Sequence, residues 1–431
     1  MPGFFNAREK RILFLNFLFF WILIPAFLIY LSIYLDAVIR IFLYRVRYIY
    51  PIGVIFLILS FDYAYRTTYL LKYFGGGLPV SRSAPTKLVT VGLFERVRHP
   101  MYLAFIFYLT GIAIFIQSYA FYLFVMPGFI FIMLLYARVS EEFVLKKRFK
   151  DKYLKYRAQV PFIIPKKRVY EFNRAPGAVY WFVYFILRVF LFKNIYKIEF
   201  KGRENIPETG PLIFVAFHTN YFDPFLMAGG AKRFIQWVTS SFYFQKFKLR
   251  WTIEQLGCFP RKRYSADLKS IKTFMEMVRD GSAIGYFPEG ARNWLGDHLD
   301  LLEPAVKMMV HAQIPVIPIK IHGGYQGWPR WSDNWIKTNI TVEYCEPVIL
   351  DKKKTIQENI QELNKRMELE DLWSFETLQE KNNIKGLHRV MWECPECEKE
   401  ESFSLKDSDI LICRNCGTEI KLTRDFRIII K

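Results

Sequence analysis

Two long parts of this chain contain no charged residue. Residues 12–35 have none, and neither have residues 101–137. An α-helix rises 1.5 Å per residue, so the first stretch alone would reach about 36 Å, enough to cross a hydrocarbon layer of about 30 Å. A soluble chain rarely contains such stretches. Their presence favours a membrane protein.

Acidic residues are also scarce. The chain of 431 residues has 60 Lys and Arg against 40 Asp and Glu, which gives a formal net charge of +20, and 18% of its residues are aromatic. Basic, aromatic-rich chains bind either nucleic acid or anionic membrane surfaces. The uncharged stretches decide between the two, so we expect membrane phospholipids and no nucleic acid as partners.

The order of apolar stretches predicts several membrane-spanning helices. No small-residue cleavage site follows residues 12–35, so a cleaved signal peptide is not expected. Residues 48–61 span the membrane only if the helix continues through residues 63–74. Residues 101–137 would reach about 55 Å as one helix, which suits a hairpin of two spans. Gln117 and Ser118 mark the tip of this hairpin.

The positions of the basic residues predict which side of the membrane the loops face. Basic loops flank both ends of the hairpin, which places both ends in the cytosol under the positive-inside rule. We therefore expect an integral protein of the cytoplasmic membrane whose active sites face the cytosol. The apolar residues 178–192 are too few for an untilted span and predict a helix lying in the interface.

Cysteine is rare, and most of it lies in one pattern. The chain has six cysteines, of which Cys258 and Cys345 are isolated. The other four form two C-x-x-C pairs separated by fifteen residues, the spacing of a four-thiolate zinc ribbon. Four thiolates complete the tetrahedral shell of Zn²⁺, so the predicted metal is structural. The predicted ligands are Cys394, Cys397, Cys413 and Cys416. A pair of disulfides is the less favoured alternative.

The strongest catalytic candidate is His218. The apolar run at residues 212–217 predicts a buried strand, and His218 follows it directly. Asp223 followed by Pro224 predicts a helix N-cap with proline in the first turn. The two side chains would then flank a turn, and Asp223 could orient the imidazole as a general base. A strand-end histidine beside an ordinary helix cap is the alternative interpretation.

Four blocks in this order resemble the phospholipid/glycerol acyltransferase family, typified by lysophosphatidic acid acyltransferase. The blocks are H-x-x-x-x-D from His218 to Asp223, Gly257-Cys-Phe-Pro-Arg-Lys-Arg263, Phe287-Pro-Glu-Gly-Ala-Arg292 and Ile314-Pro-Val-Ile-Pro318. The resemblance runs from about Gly202 to Pro347. It departs at Phe217, where asparagine is common, and at Ala291, where threonine is usual.

This resemblance implies a reaction and a set of residues. It implies an α/β domain that transfers an acyl group from a thioester, acyl-CoA or acyl carrier protein, to a lysophospholipid acceptor such as 1-acylglycerol 3-phosphate. His218 would be the base, Asp223 its orienting group, and Glu289 with Gly290 would position the glycerol. The implied phosphate site consists of Arg261, Arg263 and Arg292. His298, His311 and His388 belong to no motif and are interpreted as packing or surface residues.

A second resemblance covers about Gly75 to Pro165. An R-H-P-x-Y segment precedes the hairpin and a glutamate pair follows it, a pattern similar to the isoprenylcysteine carboxyl methyltransferase and phospholipid methyltransferase family. The family binds S-adenosylmethionine at the cytosolic membrane edge. The implied cofactor contacts are Arg98, His99, Pro100, Tyr102, Glu141 and Glu142. Gly92-Leu-Phe94 departs from the family's usual glycine-proline-tyrosine, and some relatives of the fold are reductases. The alternative interpretation is a solvated charge cluster at the membrane edge.

The sequence thus predicts a multi-domain chain. We expect an α-helical transmembrane domain at residues 1–170, an α/β acyltransferase domain at residues 171–375, and a small β zinc ribbon at residues 386–431. The function expected is glycerolipid acyl transfer, with a second, S-adenosylmethionine-dependent methyl transfer. A different hypothesis is a membrane-anchored adaptor with degenerate enzyme domains, whose ribbon and basic surface bind protein or nucleic acid.

Overall fold

The computed structural model describes residues 5–39, 47–80, 83–166, 174–194, 196–231, 233–262, 267–369, 384–423 and 427–430. These residues belong to two compact units, Met1–Tyr180 and Trp181–Lys431. Each unit is described by itself.

The first unit is helical. Its helices are α1 (Ala7–Ile39), α2 (Arg47–Gly75), α3 (Pro100–Ile116) and α4 (Phe121–Gln159), and the first, second and fourth are long and apolar enough to cross a membrane. The prediction of membrane-spanning helices is therefore confirmed. The second stretch does continue beyond Asp62, as the expected span required. Asp62 forms an ion pair with Arg66 at 2.8 Å, one helical turn later, which compensates its charge within α2.

The turn of the predicted hairpin is present, but its first arm, α3, has 17 residues and is not among the helices long enough to be a candidate span. Helix α3 ends at Ile116, and Gln117 adopts a left-handed backbone conformation with φ of 53°, which reverses the chain before α4. Helices α2 and α3 pack closely because Gly111 leaves no side chain between them: a Cβ there would lie 2.8 Å from the side chain of Leu57. The hydroxyl of Ser60 donates a hydrogen bond to the carbonyl of Ala104 at 2.7 Å across the same contact.

The second unit is built on a mixed seven-stranded sheet. Its strands are β1 (Tyr196–Lys201), β2 (Leu212–Val215), β3 (Ile235–Ser240), β4 (Cys258–Arg261), β5 (Ala283–Tyr286), β6 (Val316–His322) and β7 (Thr338–Tyr344). The spatial order is β1-β7-β6-β2-β5-β3-β4. All neighbours are parallel except β6 and β7, which are antiparallel. The predicted α/β class is confirmed.

The sheet brings the sequence blocks together. Strands β2, β5 and β6 are adjacent and parallel, so their carboxyl ends lie at the same edge of the sheet. The surrounding helices are α5 (Ala178–Asn194), α6 (Asp223–Gly230), α7 (Phe247–Gln255), α8 (Leu268–Asp280), α9 (Glu303–Ala312) and α10 (Ile356–Met367). Phe214, Ile317 and Ala283 are buried in the central core, which holds this edge rigid.

One local prediction is wrong. Asp223 is not the N-cap of α6, because Phe222 occupies that position and makes no side-chain cap, while Asp223 is the first helical residue. Its carboxylate points back toward the preceding loop and accepts the backbone N–H groups of Thr219 and Asn220, both at 2.8 Å. The side chain therefore organises the loop that begins at His218 and does not cap the helix.

The C-terminal part of the second unit is a small antiparallel sheet. Its strands are β8 (Phe403–Asp407), β9 (Ile410–Cys413), β10 (Glu419–Leu422) and β11 (Ile428–Ile430), in the order β11-β10-β9-β8. This is the predicted β ribbon. Its apolar side chains share a buried cluster with Tyr325, Trp331 and Ile336 of the α/β domain. The ribbon is therefore packed onto the segment between β6 and β7.

Candidate active site

The structure places His218 and Asp223 in contact. Nδ1 of His218 lies 2.9 Å from Oδ2 of Asp223, whose side chain is fully buried. An ionised carboxylate can only accept hydrogen bonds, so Nδ1 carries the hydrogen and Nε2 is the basic nitrogen. No described residue hydrogen-bonds Nε2, and the imidazole is partly exposed. The ring also stacks on Phe287 with centroids 4.1 Å apart, which fixes its plane.

Glu289 lies beside this pair, at the end of β5. The backbone N–H of His218 donates to its Oε2 at 2.5 Å, and the backbone N–H of Leu299 donates to its Oε1 at 2.6 Å. Burial and the nearby charge of Asp223 raise the pKa of Glu289 to about 7, although the two N–H groups act in the opposite direction. Both carboxylate oxygens are thus engaged by the backbone around the site.

The loop after Glu289 requires its glycine. Gly290 has φ of +72°, and a Cβ at this position would lie 2.6 Å from a methyl group of Leu302. Two residues later, the guanidinium of Arg292 lies 3.5 Å from the ring centroid of Tyr221, a residue of the loop between His218 and Asp223. The two loops are tied together directly, since the backbone N–H of Asn293 donates to the carbonyl of His218 at 3.0 Å.

The guanidinium of Arg292 has a hydrogen-bond donor that is not satisfied within the described part of the chain. Its Nη1 is buried and has no hydrogen-bond partner among the described residues. Burial lowers the pKa of Arg292, and the positive charge of the neighbouring Arg330 lowers it further, while Tyr221 opposes both effects. A buried guanidinium donor without a partner is costly, and an anionic ligand would satisfy it. The arrangement suits a phosphate group.

The second sequence block is described only in part. Arg261 ends β4, and its guanidinium lies 5.5 Å from the ring centroid of Tyr286 on β5, which places it at the same edge of the sheet. Burial lowers the pKa of Arg261, although Asp267 acts against this. Arg263 lies outside the described residues.

Sequence reasoning missed several residues around His218. A cavity of about 170 Å³ lies beside the site, with Phe217, Thr219 and His298 in its wall. His298 stacks on Phe217 with ring centroids 4.7 Å apart, which agrees with its interpretation as a packing residue. Both rings are part of the cavity wall. The hydroxyl of Thr219 is buried, and no residue that the structure describes forms a hydrogen bond with it. Its position directly after the candidate base was the only available signal in the sequence.

In the helical unit, the residues of the R-H-P-x-Y segment meet the glutamate pair. Arg98 forms a buried ion pair with Glu142, and the two ring nitrogens of His99 lie 3.5 Å from Glu141 and 3.6 Å from Glu142. Burial lowers the pKa of His99, but the two carboxylates outweigh this and raise it above its usual value. Pro100 begins α3, and the rings of Tyr102 and His99 are in edge contact with centroids 5.5 Å apart.

The two glutamates differ in their surroundings. Glu142 is surrounded by cations, with Arg138 and Arg157 at 3.6 and 3.7 Å in addition to Arg98. Among the described residues, Glu141 has an ion pair only with His99, whose Nδ1 lies 3.5 Å from its buried Oε2. A cationic ligand would therefore find its counter-charge at Glu141. Glu142 is already neutralised within the protein.

The four cysteines of the ribbon form one cluster. Their Sγ atoms lie within 4.8 Å of one another. The pairs Cys394 with Cys416 and Cys397 with Cys413 are each separated by 3.7 Å. A tetrahedral zinc ion with Zn–S bonds of about 2.3 Å sets sulfur atoms about 3.8 Å apart, whereas a disulfide requires about 2.05 Å. The geometry fits a zinc ion and does not fit disulfides.

Two regions of the chain match models of known families. Residues 197–322 match the family model Acyltransferase, and residues 48–152 match the family model Phospholipid methyltransferase. The chain is similar to the chloroplastic 1-acyl-sn-glycerol-3-phosphate acyltransferase of Arabidopsis thaliana, with 25% identity over 36% of this chain and 44% of the relative. It is also similar to the 1-acyl-sn-glycerol-3-phosphate acyltransferase of Pseudomonas aeruginosa, with 27% identity over 43% of this chain and 70% of the relative.

Among solved structures, the 1-acyl-sn-glycerophosphate acyltransferase of Thermotoga maritima matches with 22% identity and a TM-score of 0.36, over 39% of this chain and 68% of that one. The chain spans less than half the length of the Arabidopsis relative. Residues 48–152 are thus similar to phospholipid methyltransferases and residues 197–322 to acyltransferases, and the four-cysteine ribbon follows these two regions.

Proposed function

We propose that this chain is a membrane glycerolipid acyltransferase. It transfers an acyl group from a thioester, acyl-CoA or acyl carrier protein, to the free hydroxyl of a lysophospholipid such as 1-acylglycerol 3-phosphate. The observation that carries the proposal is the 2.9 Å contact between His218 and buried Asp223, with no hydrogen bond to the opposite nitrogen of the imidazole from the described part of the chain. The unsatisfied donor of Arg292 nearby supports a phosphate-bearing acceptor.

The steps of acyl transfer follow from the contact between His218 and Asp223. Nε2 of His218 removes the proton from the acceptor hydroxyl as the oxygen attacks the thioester carbonyl, and Asp223 stabilises the imidazolium that results. Collapse of the tetrahedral intermediate breaks the C–S bond, and the imidazolium returns the proton to the thiolate. Glu289 acts as a positioning residue, because it holds the backbone of His218 and of the facing loop.

A transfer assay on the purified full chain tests the proposal. We expect the His218→Ala variant to lose at least a hundredfold in kcat, since a general base contributes 10²–10⁴-fold, roughly. His311→Ala is the matched control, because His311 is exposed in the last turn of α9. Equal activity of wild type and His218→Ala would remove the mechanism and leave the adaptor hypothesis.

We further propose that the helical unit binds S-adenosylmethionine, which would supply an electrophilic methyl group. Arg98, His99, Pro100, Tyr102, Glu141 and Glu142 surround the proposed site. The carboxylate of Glu141, which has no arginine or lysine partner among the described residues, would face the cation of the ligand, and Tyr102 would offer an aromatic surface. Glu142 would hold Arg98 and His99 in place.

Equilibrium binding of S-adenosylmethionine to the full chain tests this second proposal without any methyl acceptor. We expect Glu141→Gln to weaken binding about tenfold or more, as expected for one lost charge-assisted contact. Asp151→Asn is the control, because Asp151 is an exposed acid farther along α4. Unchanged affinity in Glu141→Gln would contradict the assignment. The proposal places both sites on the cytosolic face of the cytoplasmic membrane.

A further inference from the structure

The segment from Gly323 to Ile336, here called the connecting segment, joins β6 to β7 and contains the short helical turn Gly324–Gly327. It lies outside the matched Acyltransferase region, which ends at residue 322. The sequence blocks do not include it. The connecting segment contacts both the ribbon and the catalytic loops.

On one side, the connecting segment is bound to the ribbon. Tyr325, Trp331 and Ile336 belong to one buried cluster with ribbon side chains. The ribbon members are Leu387, Cys394, Phe403, Leu411, Cys413, Ile420 and Leu422, and Ile384, just before the ribbon, joins them. Because two of the four predicted zinc ligands are members of this cluster, the metal site and the connecting segment share one core.

Polar contacts at the edge of this core fix the backbone of the connecting segment. Arg389 donates to the carbonyl of Trp331 at 2.9 Å and forms an ion pair with Asp333 at 2.7 Å. Gly386 has φ of +99°, and a Cβ there would lie 2.1 Å from the same carbonyl of Trp331. Ribbon and segment are therefore in backbone-to-backbone contact at this point.

On its other side, the connecting segment contacts both catalytic loops. The loop from His218 to Asp223 is held by Asn220, whose side-chain amide donates to the carbonyl of Gly324 at 2.8 Å. Trp328 packs on Tyr221 with centroids 5.2 Å apart. The loop after Glu289 is contacted by Tyr325, whose hydroxyl donates to the carbonyl of Trp294 at 3.1 Å.

Arg330 is the charged residue that the connecting segment brings to the site. Its Nη1 donates to the backbone carbonyl of Arg292, and its guanidinium lies 4.2 Å from the ring centroid of Trp294. Among the described residues, neither Arg292 nor Arg330 forms an ion pair with a carboxylate. Two guanidinium groups without an ion-pairing carboxylate in the described part of the chain, one of them with a buried donor that has no partner there, suit a doubly charged anion.

We propose that Arg330 is a second arginine for the phosphate of the lysophospholipid acceptor, acting beside Arg292 and held in place by the ribbon. This rests on the proposed acyltransferase function. A phosphate monoester carries a charge of about −1.5 to −2 at neutral pH, which matches two unpaired arginines. The acyl donor also contains phosphate groups, so the experiment must separate the two substrates.

The experiment measures steady-state kinetics of the full chain in detergent, with each substrate varied in turn and sn-glycerol 3-phosphate as a competitive inhibitor. For Arg330→Gln we expect about a tenfold rise in the KM for 1-acylglycerol 3-phosphate and in the Ki of sn-glycerol 3-phosphate. The kcat and the KM for the acyl donor change less than about threefold. Arg330→Lys recovers part of the loss, since it restores charge without the planar fork.

Lys337→Gln is the matched control, because Lys337 is an exposed cation directly after the connecting segment, and all constants of this variant stay at wild-type values. An unchanged Ki in Arg330→Gln overturns the proposal. A rise confined to the KM for the acyl donor also overturns the proposal, because it would mean that Arg330 contacts the phosphate groups of the donor. A loss of kcat at constant Ki overturns it as well, because it would mean that Arg330 has a purely structural role.

Direct binding separates this inference from the proposed reaction. Equilibrium binding of sn-glycerol 3-phosphate requires no turnover and is measured on wild type, Arg330→Gln and Arg330→Lys. If wild type binds it without transferring acyl groups and Arg330→Gln binds about tenfold more weakly, the reaction fails and the arginine assignment stands. If wild type is active and Arg330→Gln and Arg330→Lys both bind as tightly as wild type, the arginine assignment fails and the reaction stands.

Discussion

The carboxylate of Glu289 accepts the backbone N–H of His218 at 2.5 Å and the backbone N–H of Leu299 at 2.6 Å. The residue of the third sequence block thus holds the main chain of the candidate base. It also fixes the loop that carries Arg292. Such a contact orients the imidazole through its own backbone, while Asp223 orients it through the ring.

The first prediction concerns the Glu289→Gln variant. An amide has one acceptor oxygen and one donor nitrogen, so one of the two backbone N–H groups would face a donor and remain unpaired, at a cost of about 1–3 kcal/mol. We expect kcat for acyl transfer to fall at least about tenfold, because a loss of 1.4 kcal/mol is a factor of ten. Glu303→Gln is the control, because Glu303 is exposed at the start of α9. Full activity in Glu289→Gln would contradict the positioning role.

The second prediction is a pH dependence of stability. Burial and the charge of Asp223 raise the pKa of Glu289 from 4.5 to about 7, so the folded state binds the proton more tightly than the unfolded state does. The contribution of Glu289 to the unfolding free energy is therefore largest below pH 4.5 and decreases as the pH rises to about 7, by about 3 kcal/mol in total.

Thermal unfolding of wild type and Glu289→Gln at pH 5 and pH 8 measures this difference. The amide does not titrate, so the pH-dependent decrease should be larger in wild type than in Glu289→Gln. Equal decreases in the two proteins would show that Glu289 titrates near its usual pKa.

The third prediction concerns Asp223. Oδ2 of Asp223 accepts the Nδ1 hydrogen of His218 and the N–H groups of Thr219 and Asn220. In Asp223→Asn the amide oxygen can still accept the two backbone N–H groups, but the imidazolium of His218 loses its negatively charged partner. We expect kcat to fall roughly 10²–10⁴-fold with the KM for the acceptor changed much less. Asp300→Asn, an exposed position, should leave kcat unchanged.

How far the sequence predicts the site depends on which contacts are local. His218 and Asp223 are five residues apart, and a strand ending before a proline-started helix predicts the turn that brings them together. The rest of the sheet edge follows from the rule that parallel strands present their carboxyl ends together. The details of Asp223 could not be predicted, because whether a carboxylate caps its own helix or binds the preceding loop depends on packing within a few ångströms.

The contacts between residues far apart in the chain could not be predicted from the sequence. Glu289 appears in its motif as a group for the acceptor, yet its partners are backbone N–H groups from two separate loops. Arg330 lies 38 residues from Arg292 in the chain, in a segment without a motif, and its neighbourhood depends on the ribbon core. Nothing in the local pattern of residues 323–336 distinguishes Arg330 from an ordinary surface cation.

The fourth prediction separates the two glutamates of the helical unit. Glu142→Gln leaves the buried guanidinium of Arg98 without its carboxylate, and an unpaired buried charge costs about 3–5 kcal/mol. We expect a clear loss of thermal stability in this variant. Glu141→Gln should unfold close to the wild-type temperature, since its side chain is 39% exposed. Equal melting temperatures for wild type and Glu142→Gln would contradict the structural role of Glu142.

The fifth prediction is that loss of the metal from the ribbon affects the acyltransferase domain. Cys413→Ser removes one predicted ligand, and we expect metal analysis of the purified chain to fall from one zinc per chain to a small fraction of that value. Because Cys413 shares a core with Tyr325 and Trp331, amide hydrogen exchange should rise in residues 325–331 as well as in the ribbon. Cys345→Ser is the control, since Cys345 lies outside the cluster of four cysteines. Faster exchange confined to the ribbon would show that the connecting segment holds its position without the metal.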